Sequence, residues 1–351
     1  MFDFKRFIRN IVLILATLAF IYYAQKSMDS YSLSILMNIG IFAILALSYN
    51  LINGVAGQFS LEPNGFVAIG AYFTAILIIP PETKLDMFAL VDPAPIVASA
   101  HMSFLPAVLI GGFAAMLVAM LLALPVFRVR GDYLAIVTLG FGFIIRIFAI
   151  NNPEYTNGAM GLNDIPEYAN FIWIGTIALI TFIVMIHILY SKYGRSMKAV
   201  RDDEDAATAM GINTFKIKTL AFMTSAFFEG VGGGLLASML TTITPDQFSF
   251  LLTFQLLIFI VLGGLGSMSG ALFASILLGW GLEKLRILDE NITLFGHDFG
   301  AHPGLRMVVF SIILLLMMLY ARRGVFGDRE LTDIIRDYKR KKLESKKWTL
   351  Y

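Results

Sequence analysis

Four ionisable side chains stand inside apolar stretches of this sequence, namely Arg146, His187, Glu229 and Arg306. A charged group is costly in hydrocarbon, so each of them is expected to face a partner or water. Glu229 is the most informative because it lies in the middle of its stretch, beside Gly230. Two roles remain open for it: a neutral, hydrogen-bonded acid at a helix contact, or a carboxylate that meets a substrate on a pathway through the membrane.

The residue types needed for catalysis or metal binding do not recur at the usual spacings. The chain has no cysteine, which excludes disulfides and thiolate metal sites. Its four histidines are dispersed, and neither G-x-S-x-G nor H-E-x-x-H occurs. His297 and His302 lie near Asp298, but no third and fourth ligand follow at a zinc-site spacing. We therefore predict no catalytic residue and no metal site, which argues against a membrane-embedded enzyme.

The composition places these residues in a membrane protein. Of 351 residues, 58% are apolar and only 15% are charged. In soluble domains about 45–50% of residues are apolar and about 25% are charged. The mean hydropathy is +0.76. This excludes a cytosolic enzyme, and the net charge of +2 argues against a nucleic-acid partner.

We predict an all-α fold, a polytopic transmembrane helical bundle with about ten spans. A span needs about 20 mostly apolar residues. The stretch at 250–281 is too long for one span and breaks at 263–267, so it counts as two. The apolar stretches run over 11–24, 33–52, 65–79, 104–127, 133–150, 171–190, 219–240, 250–281 and 305–320.

Lysine and arginine are concentrated in every second connection between the apolar stretches, and this pattern predicts the orientation of the chain in the membrane. They precede residue 11 and cluster at 128–130, at 192–218 and after 321, whereas the connections 80–103 and 151–170 are mainly acidic. The positive-inside rule then places both termini in the cytoplasm. We divide the chain into a transmembrane domain, 1–321, and a basic cytoplasmic tail, 322–351, which we expect to be solvated near anionic lipid headgroups.

The cytoplasmic connection at 191–218 has the pattern of an amphipathic helix. Arg201 and Asp205 are spaced i, i+4 on one face. Gly211 stands where a left-handed helix end favours glycine. The apolar stripe is too large for the connection itself to cover, so we expect it to dock on a partner protein or on the membrane surface. The stripe consists of Met197, Val200, Ala207 and Met210.

Glycine-rich interruptions at 53–60 and 263–267 divide long apolar stretches, one in each half of the chain. Close helix packing is the ordinary use of glycine in membranes, and Gly230 and Gly234 form such a G-x-x-x-G pair. Interruptions of this kind also permit broken helices around a pathway. Gln58 and Ser60 are polar groups in the first interruption, and we predict that they line or flank the path.

The cytoplasmic connection resembles one family closely. Asp205-Ala206-Ala207-Thr208-Ala209-Met210-Gly211 looks like the E-A-A-x-x-x-G loop of ABC importer permeases, with Asp for Glu. The wider run 194–207 is similar to the LivM-type permease of branched-chain amino acid ABC transporters. Stretches at 57–61, 69–72, 130–139 and 261–267 agree with that family in the same order.

This resemblance implies a permease subunit of an importer, not an enzyme, in a bacterial or archaeal inner membrane. It implies a second permease, two cytoplasmic ATPase subunits and an external binding protein that delivers an amino acid. ATP would be bound by the ATPase subunits, because no G-x-x-x-x-G-K-[S/T] occurs here. The resemblance assigns ATPase coupling to Arg201, Asp205, Ala206, Ala207 and Gly211.

Departures from the family pattern leave the substrate open. Glu62-Pro63-Asn64 replaces a usual Gly-His-Ala, Phe143 replaces a frequent Glu, and Glu229 replaces a small residue. Thr138, in a matched stretch, joins Gln58, Ser60 and Glu229 as a candidate for the translocation path. The alternative is a secondary carrier or channel for a small polar solute such as urea or an amide, working without an ATPase.

Overall fold

The computed structural model describes residues 4–88, 91–128, 133–285, 292–294 and 297–299, and scattered residues between 305 and 337. The described chain is almost entirely helical, which confirms the predicted all-α class. The exception is a short antiparallel hairpin in which Ile292 pairs with Phe299.

Fourteen α-helices follow one another along the described ranges. They are α1 (Phe4–Ser27), α2 (Ser30–Asn50), α3 (Pro63–Ile78), α4 (Pro81–Met87), α5 (Pro95–Ser99), α6 (Phe104–Val126), α7 (Tyr133–Asn151), α8 (Pro153–Thr156), α9 (Phe171–Tyr190), α10 (Lys192–Asp202), α11 (Glu204–Ala209), α12 (Thr214–Leu240), α13 (Phe250–Gly263) and α14 (Met268–Lys284). The hairpin strands are β1 (Ile292–Leu294) and β2 (His297–Phe299).

The centre of the bundle is α12, which packs on α3, α6 and α2. Small residues allow this approach: a Cβ on Gly70 of α3 would lie 1.9 Å from the carbonyl oxygen of Gly230 on α12. A Cβ on Gly234 of α12 would lie 2.3 Å from the Thr74 side-chain oxygen on α3. The G-x-x-x-G pair therefore brings helix backbones into contact, as predicted.

Five helical segments in the described chain are long and apolar enough to cross a membrane, at Ser30–Val55, Phe104–Val126, Tyr133–Asn151, Phe171–Tyr190 and Thr214–Leu240. Two further pairs of helices, α3 with α4 and α13 with α14, are bent by 115° and 118° at the break between them. If each bent pair is counted as one span, the total rises to seven. With 14 residues, α13 is about 21 Å long, which is less than the roughly 30 Å of a hydrocarbon core. The last predicted stretch, 305–320, lies largely outside the described residues.

Both predicted interruptions are breaks in the helical structure. In the first break, residues 51–62, the chain leaves α2 through a π-helical turn at Leu51–Val55 and then runs without helix to α3. Asn53 closes this loop by accepting from the Ser60 amide at 2.8 Å. In the second break, residues 264–267, the chain turns between α13 and α14.

The connection at 191–218 forms two helices, and the prediction of one continuous helix is wrong. Asp203 separates them: its side chain accepts from the Ala206 amide at 2.9 Å and so caps α11. Arg201 and Asp205 consequently stand on different helices and do not share a helix face. The predicted turn is confirmed, since Gly211 has φ +82°.

The prediction of an exposed apolar stripe on this connection is also wrong. Met197, Val200 and Ala207 are buried within the chain, because α10 packs against α9, α12 and the first break. Met210 is the exception, with 84% of its surface exposed. Of the four predicted stripe residues, only Met210, in the turn after α11, is left exposed to a partner.

The described part of the tail does not stand free in solvent. Val325 donates to the Leu262 carbonyl at 2.8 Å, next to the second break. The Glu330 carboxylate accepts from the amides of Met268 at 2.6 Å and Ser269 at 3.0 Å. A carboxylate at a helix N-terminus is stabilised by the amides there, so this part of the tail packs on the bundle. The prediction of a solvated tail is wrong for these residues.

Candidate coupling junction and interior acid pair

Arg201 connects α10 to the first break. Its Nη1 donates to the Gly54 carbonyl at 3.2 Å. The aliphatic part of its side chain lies on Gly57, where a Cβ would come within 2.1 Å of the arginine Cγ. Gly57, with φ +66°, leaves the space that the arginine occupies.

The first break in turn contacts the second. The Asn50 Oδ1 accepts from the Gly266 amide at 3.0 Å, and its Nδ2 donates to the Ser267 carbonyl at 2.8 Å. A Cβ on Gly54 would lie 2.2 Å from the Gly266 nitrogen. Asn50 is fully buried, so these bonds are made away from water, where leaving them unmade is costly.

These contacts form a coupling junction, which we define as Asn50, Gly54, Arg201 and Gly266. It joins α10 to the first break and the first break to the second by direct contacts. The Arg201 guanidinium also pairs with Asp202 at 3.0 Å, which holds it in the orientation that reaches Gly54.

A second link fastens α11 to the bundle. Lys218 of α12 pairs with Glu204 of α11 at 2.7 Å, and its side chain is only 7% exposed. Because the pair is partly buried, the two helices should move together rather than separately. The connection is thus fastened to α12 through Lys218 and to the coupling junction through Arg201.

Glu229 lies in the closed interior of the bundle. Its Oε1 is 2.9 Å from Ser225 Oγ, and the same hydroxyl lies 2.7 Å from the Ser48 carbonyl. A serine hydroxyl has a single hydrogen. Both contacts are hydrogen bonds when Glu229 is protonated and donates to Ser225, which donates to Ser48.

A second acid lies beside it. Glu62, at the end of the first break, is fully buried and interacts electrostatically with Glu229. Neither of its carboxyl oxygens has a hydrogen-bond partner within the described chain. Tyr49, which also interacts with both acids, donates to the Ser60 carbonyl at 2.7 Å. Two carboxyl groups this well buried cannot both be charged without a large desolvation cost.

Replacement of Glu229 with glutamine is therefore expected to be nearly silent. The amide keeps the shape and donates to Ser225 as the protonated acid does, so uptake and thermal stability should change little. Glu229→Ala, which leaves a cavity beside a hydroxyl, should lower stability by about 2–4 kcal/mol. Thermal unfolding and substrate titration of both variants separate the roles: a strong loss of apparent substrate affinity in Glu229→Gln alone would show that the charge is used.

The other predicted path residues pack inside the chain or along the first break. Ser60 and Thr138 are buried, and Thr138 Oγ1 accepts from the Leu61 amide at 2.9 Å. Gln58 is half-buried and donates to the Ala56 carbonyl at 3.1 Å. In this conformation Thr138 links the first break to α7. A role of Gln58, Ser60 and Thr138 in lining the path stays a prediction.

Sequence reasoning did not single out Asn50 or pair Glu62 with Glu229. Asn50 and Asn53 are amides three residues apart in an otherwise apolar run, and this polar pair was an available signal. Within the described residues, no three His, Asp or Glu side chains are grouped as a metal site would need.

An apolar helical bundle with several helices long enough to cross a bilayer, two broken segments and an attached polar helix is the architecture of a multi-pass membrane protein. The chain belongs to the family of permease components of branched-chain amino acid transport systems, whose sequence model matches residues 31–321. This family consists of transport subunits, not enzymes.

Three relatives illustrate the match. The high-affinity branched-chain amino acid transport system permease protein LivM of Escherichia coli K12 is 31% identical, covering 81% of this chain and 67% of LivM. LivH of the same strain is 24% identical over 90% of this chain and 99% of LivH. BraD of Pseudomonas aeruginosa is 25% identical over 84% of this chain and 94% of BraD. No solved structure matches significantly.

Proposed function

We propose that this chain is a permease subunit of an ABC importer for branched-chain amino acids. The family supports the class of transporter, and the names of LivM, LivH and BraD support the substrate. The observation that carries the mechanism is the coupling junction, in which Arg201 links the cytoplasmic helix to both breaks.

The proposed complex contains a second permease, two cytoplasmic ATPase subunits and an external substrate-binding protein. ATP is bound by the ATPase subunits. Their closure moves α10 and α11, the junction passes the movement to the two breaks, and the bundle switches between outward and inward access. The bundle has two states, outward-open and inward-open, and closure of the ATPase subunits on ATP only has to shift the equilibrium between them.

The proposed topology follows from the charge distribution. Both termini and the coupling segment 191–218 are cytoplasmic, in the inner membrane of a bacterium or archaeon. The permease domain is 1–321 and the tail 322–351. The five long segments give five spans. Five more, for a total of ten, come from counting one span each for α1, α3, α13, α14 and the stretch 305–320.

ATP-dependent uptake by the intact complex tests this function. Proteoliposomes that contain both permeases and the ATPase subunits, supplied with the binding protein, should accumulate L-leucine only with ATP. Omission of this chain should abolish accumulation. Uptake that continues after the ATPase subunits are removed would favour a secondary carrier and contradict the proposal.

Met210 is expected to be a contact with the ATPase subunit. It is exposed beside Ala206 and Ala209 on α11, where a partner groove could cover it. Met210→Asp should reduce co-purification of the ATPase about tenfold or more, whereas Met210→Leu, which keeps the apolar volume, should not. Equal ATPase recovery from both Met210 variants would exclude this contact.

Replacement of Gly211 with alanine should lower the free energy of unfolding by about 1 kcal/mol, because its φ is positive. No atom lies within 4 Å of a Cβ there, so the cost is backbone strain and not a clash.

A further inference from the structure

The tail of the chain returns to the second break and bonds to the helix that ends there. We call this part of the tail the tail strap, and it consists of the described residues 324–327 and 329–333. The Val325 amide donates to the Leu262 carbonyl at 2.8 Å. The Phe326 amide donates to the Gly263 carbonyl at 3.1 Å. Both carbonyls belong to the last turn of α13, where a helix has no partners of its own for its carbonyl groups.

On the other side of the break, Glu330 of the tail strap caps α14. Its carboxylate accepts from the Met268 amide at 2.6 Å, and from both the amide, at 3.0 Å, and the hydroxyl of Ser269. The Leu331 amide donates to the same hydroxyl at 2.9 Å. Only 4% of the surface of Glu330 is exposed. The first amides of α14 thus receive from the tail the acceptors that a helix cannot supply at its own N-terminus.

The tail strap also touches the backbone of the break itself. A Cβ on Gly264 would lie 2.2 Å from the Gly327 carbonyl oxygen, and one on Gly324 would lie 2.6 Å from the Gly264 nitrogen. The Phe326 ring lies 5.5 Å from that of Phe273 on α14, centroid to centroid. The strap and the break therefore fit together without space for another side chain.

Gly266 of the coupling junction lies between these points of attachment. Its amide donates to the Asn50 Oδ1 at 3.0 Å. The tail strap holds the chain three residues before Gly266, at Gly263, and two residues after it, at Met268. The place at which Gly266 meets Asn50 is consequently fixed from both sides by a segment that lies more than 50 residues further along the chain.

We propose that the tail strap holds the second break in the position that the coupling junction requires, and that Glu330 is the positioning residue. The consequence for transport rests on the proposed function, in which the junction passes movement from α10 to the two breaks. Without the Glu330 carboxylate, the first amides of α14 lose their acceptors and the strap is released on that side. Gly266 then loses its fixed place against Asn50, and the second break no longer follows the first.

Hydrogen–deuterium exchange of the complete complex in detergent tests the position of the break without reference to any substrate. Glu330→Ala should raise the exchange rate of amides in peptides that cover 264–270 about tenfold, because two of these amides lose a charged acceptor. Glu330→Gln keeps the length and one acceptor oxygen, so it should raise the rate less. Unchanged exchange in Glu330→Ala would overturn the proposal.

The control is the neighbouring residue of the tail strap. The Arg329 side chain is 65% exposed and pairs with Asp337 at 3.4 Å. Arg329→Ala therefore removes a long charged side chain beside Glu330 and leaves the bonds to the break in place. It should change neither the exchange at 264–270 nor transport.

The ratio of L-leucine uptake to ATP hydrolysis in proteoliposomes tests the role in coupling. Glu330→Ala should lower this ratio about tenfold and Glu330→Gln about threefold, with the amount of each subunit determined. If the strap only stabilises the fold, thermal unfolding of Glu330→Ala shifts downward and the ratio stays that of Arg329→Ala, which would overturn the role in coupling. If Glu330→Ala is not recovered, Glu330→Gln decides by the same comparison.

Failure of this inference is distinguishable from failure of the proposed function. If the unmodified complex accumulates no leucine with ATP, the proposed function fails, and the exchange measurement still decides whether Glu330 holds the break. If the unmodified complex accumulates leucine and the Glu330 variants match Arg329→Ala in both measurements, the function stands and the strap is overturned.

Discussion

Replacement of Arg201 with methionine is expected to stop most substrate uptake while the ATPase subunits stay bound. Methionine keeps much of the aliphatic packing on Gly57 but removes the guanidinium that donates to the Gly54 carbonyl. A hydrogen bond to a charged donor contributes about 1.5–3 kcal/mol, which corresponds to a roughly 10- to 100-fold loss of coupling. ATP hydrolysis should continue, since nothing in the ATPase is changed.

The control for this variant stands on the same helix. The Arg195 Nη1 donates to the Tyr190 carbonyl at 3.0 Å, at the end of α9, and is not part of the coupling junction. Arg195→Met should therefore leave the ratio of uptake to ATP hydrolysis nearly unchanged. The measurement is that ratio in proteoliposomes, with the amount of each subunit determined. An unchanged ratio in Arg201→Met would show that the junction does not transmit movement.

A single methyl group on Gly70 is expected to prevent recovery of a stable protein. Its Cβ would lie 1.9 Å from the Gly230 carbonyl oxygen and 2.4 Å from the Gly230 Cα. Both atoms are backbone, so no side chain can rotate to make room, and α3 would have to leave α12. Overpacking costs about 1–3 kcal/mol where side chains can adjust, and we expect the upper end or more here.

Gly140 provides the matched control. It lies inside α7, and no atom is within 4 Å of the position of a Cβ there. Gly140→Ala should slightly stabilise the protein, because alanine favours helix by about 1 kcal/mol over glycine. The thermal unfolding temperature in detergent should fall for Gly70→Ala and hold or rise for Gly140→Ala. Similar values for the two would mean that α3 and α12 are not in backbone contact.

Several features of this protein were predictable because they depend on local pattern. The apolar stretches predicted membrane helices, and the glycine-rich runs predicted the breaks at 53–60 and 263–267. Gly211 was recognised because a helix that must turn back needs a left-handed residue. The run from Gly194 to Gly211 and the other matched stretches were enough to identify the family.

Local pattern gave wrong predictions for the connection at 191–218. Apolar spacing there predicted an exposed stripe, and the structure buries Met197, Val200 and Ala207 against the bundle. Periodicity shows that a helix has an apolar face but not what covers it. The break at Asp203 was also missed, because an aspartate inside a polar helix and one that caps the next helix look alike in sequence.

The amino-acid sequence by itself determined that this is a polytopic helical membrane protein of a permease family, where its helices break and where its charges lie. Only the tertiary structure decided which of those breaks and charges meet. Arg201 reaches Gly54 across 147 residues, Asn50 reaches Gly266 across 216, and Arg146 reaches Asp246 across 100. Helix formation is governed by neighbours within a few residues, whereas these contacts depend on how glycine-lined helices pack together, and packing is settled by the shape of the whole bundle.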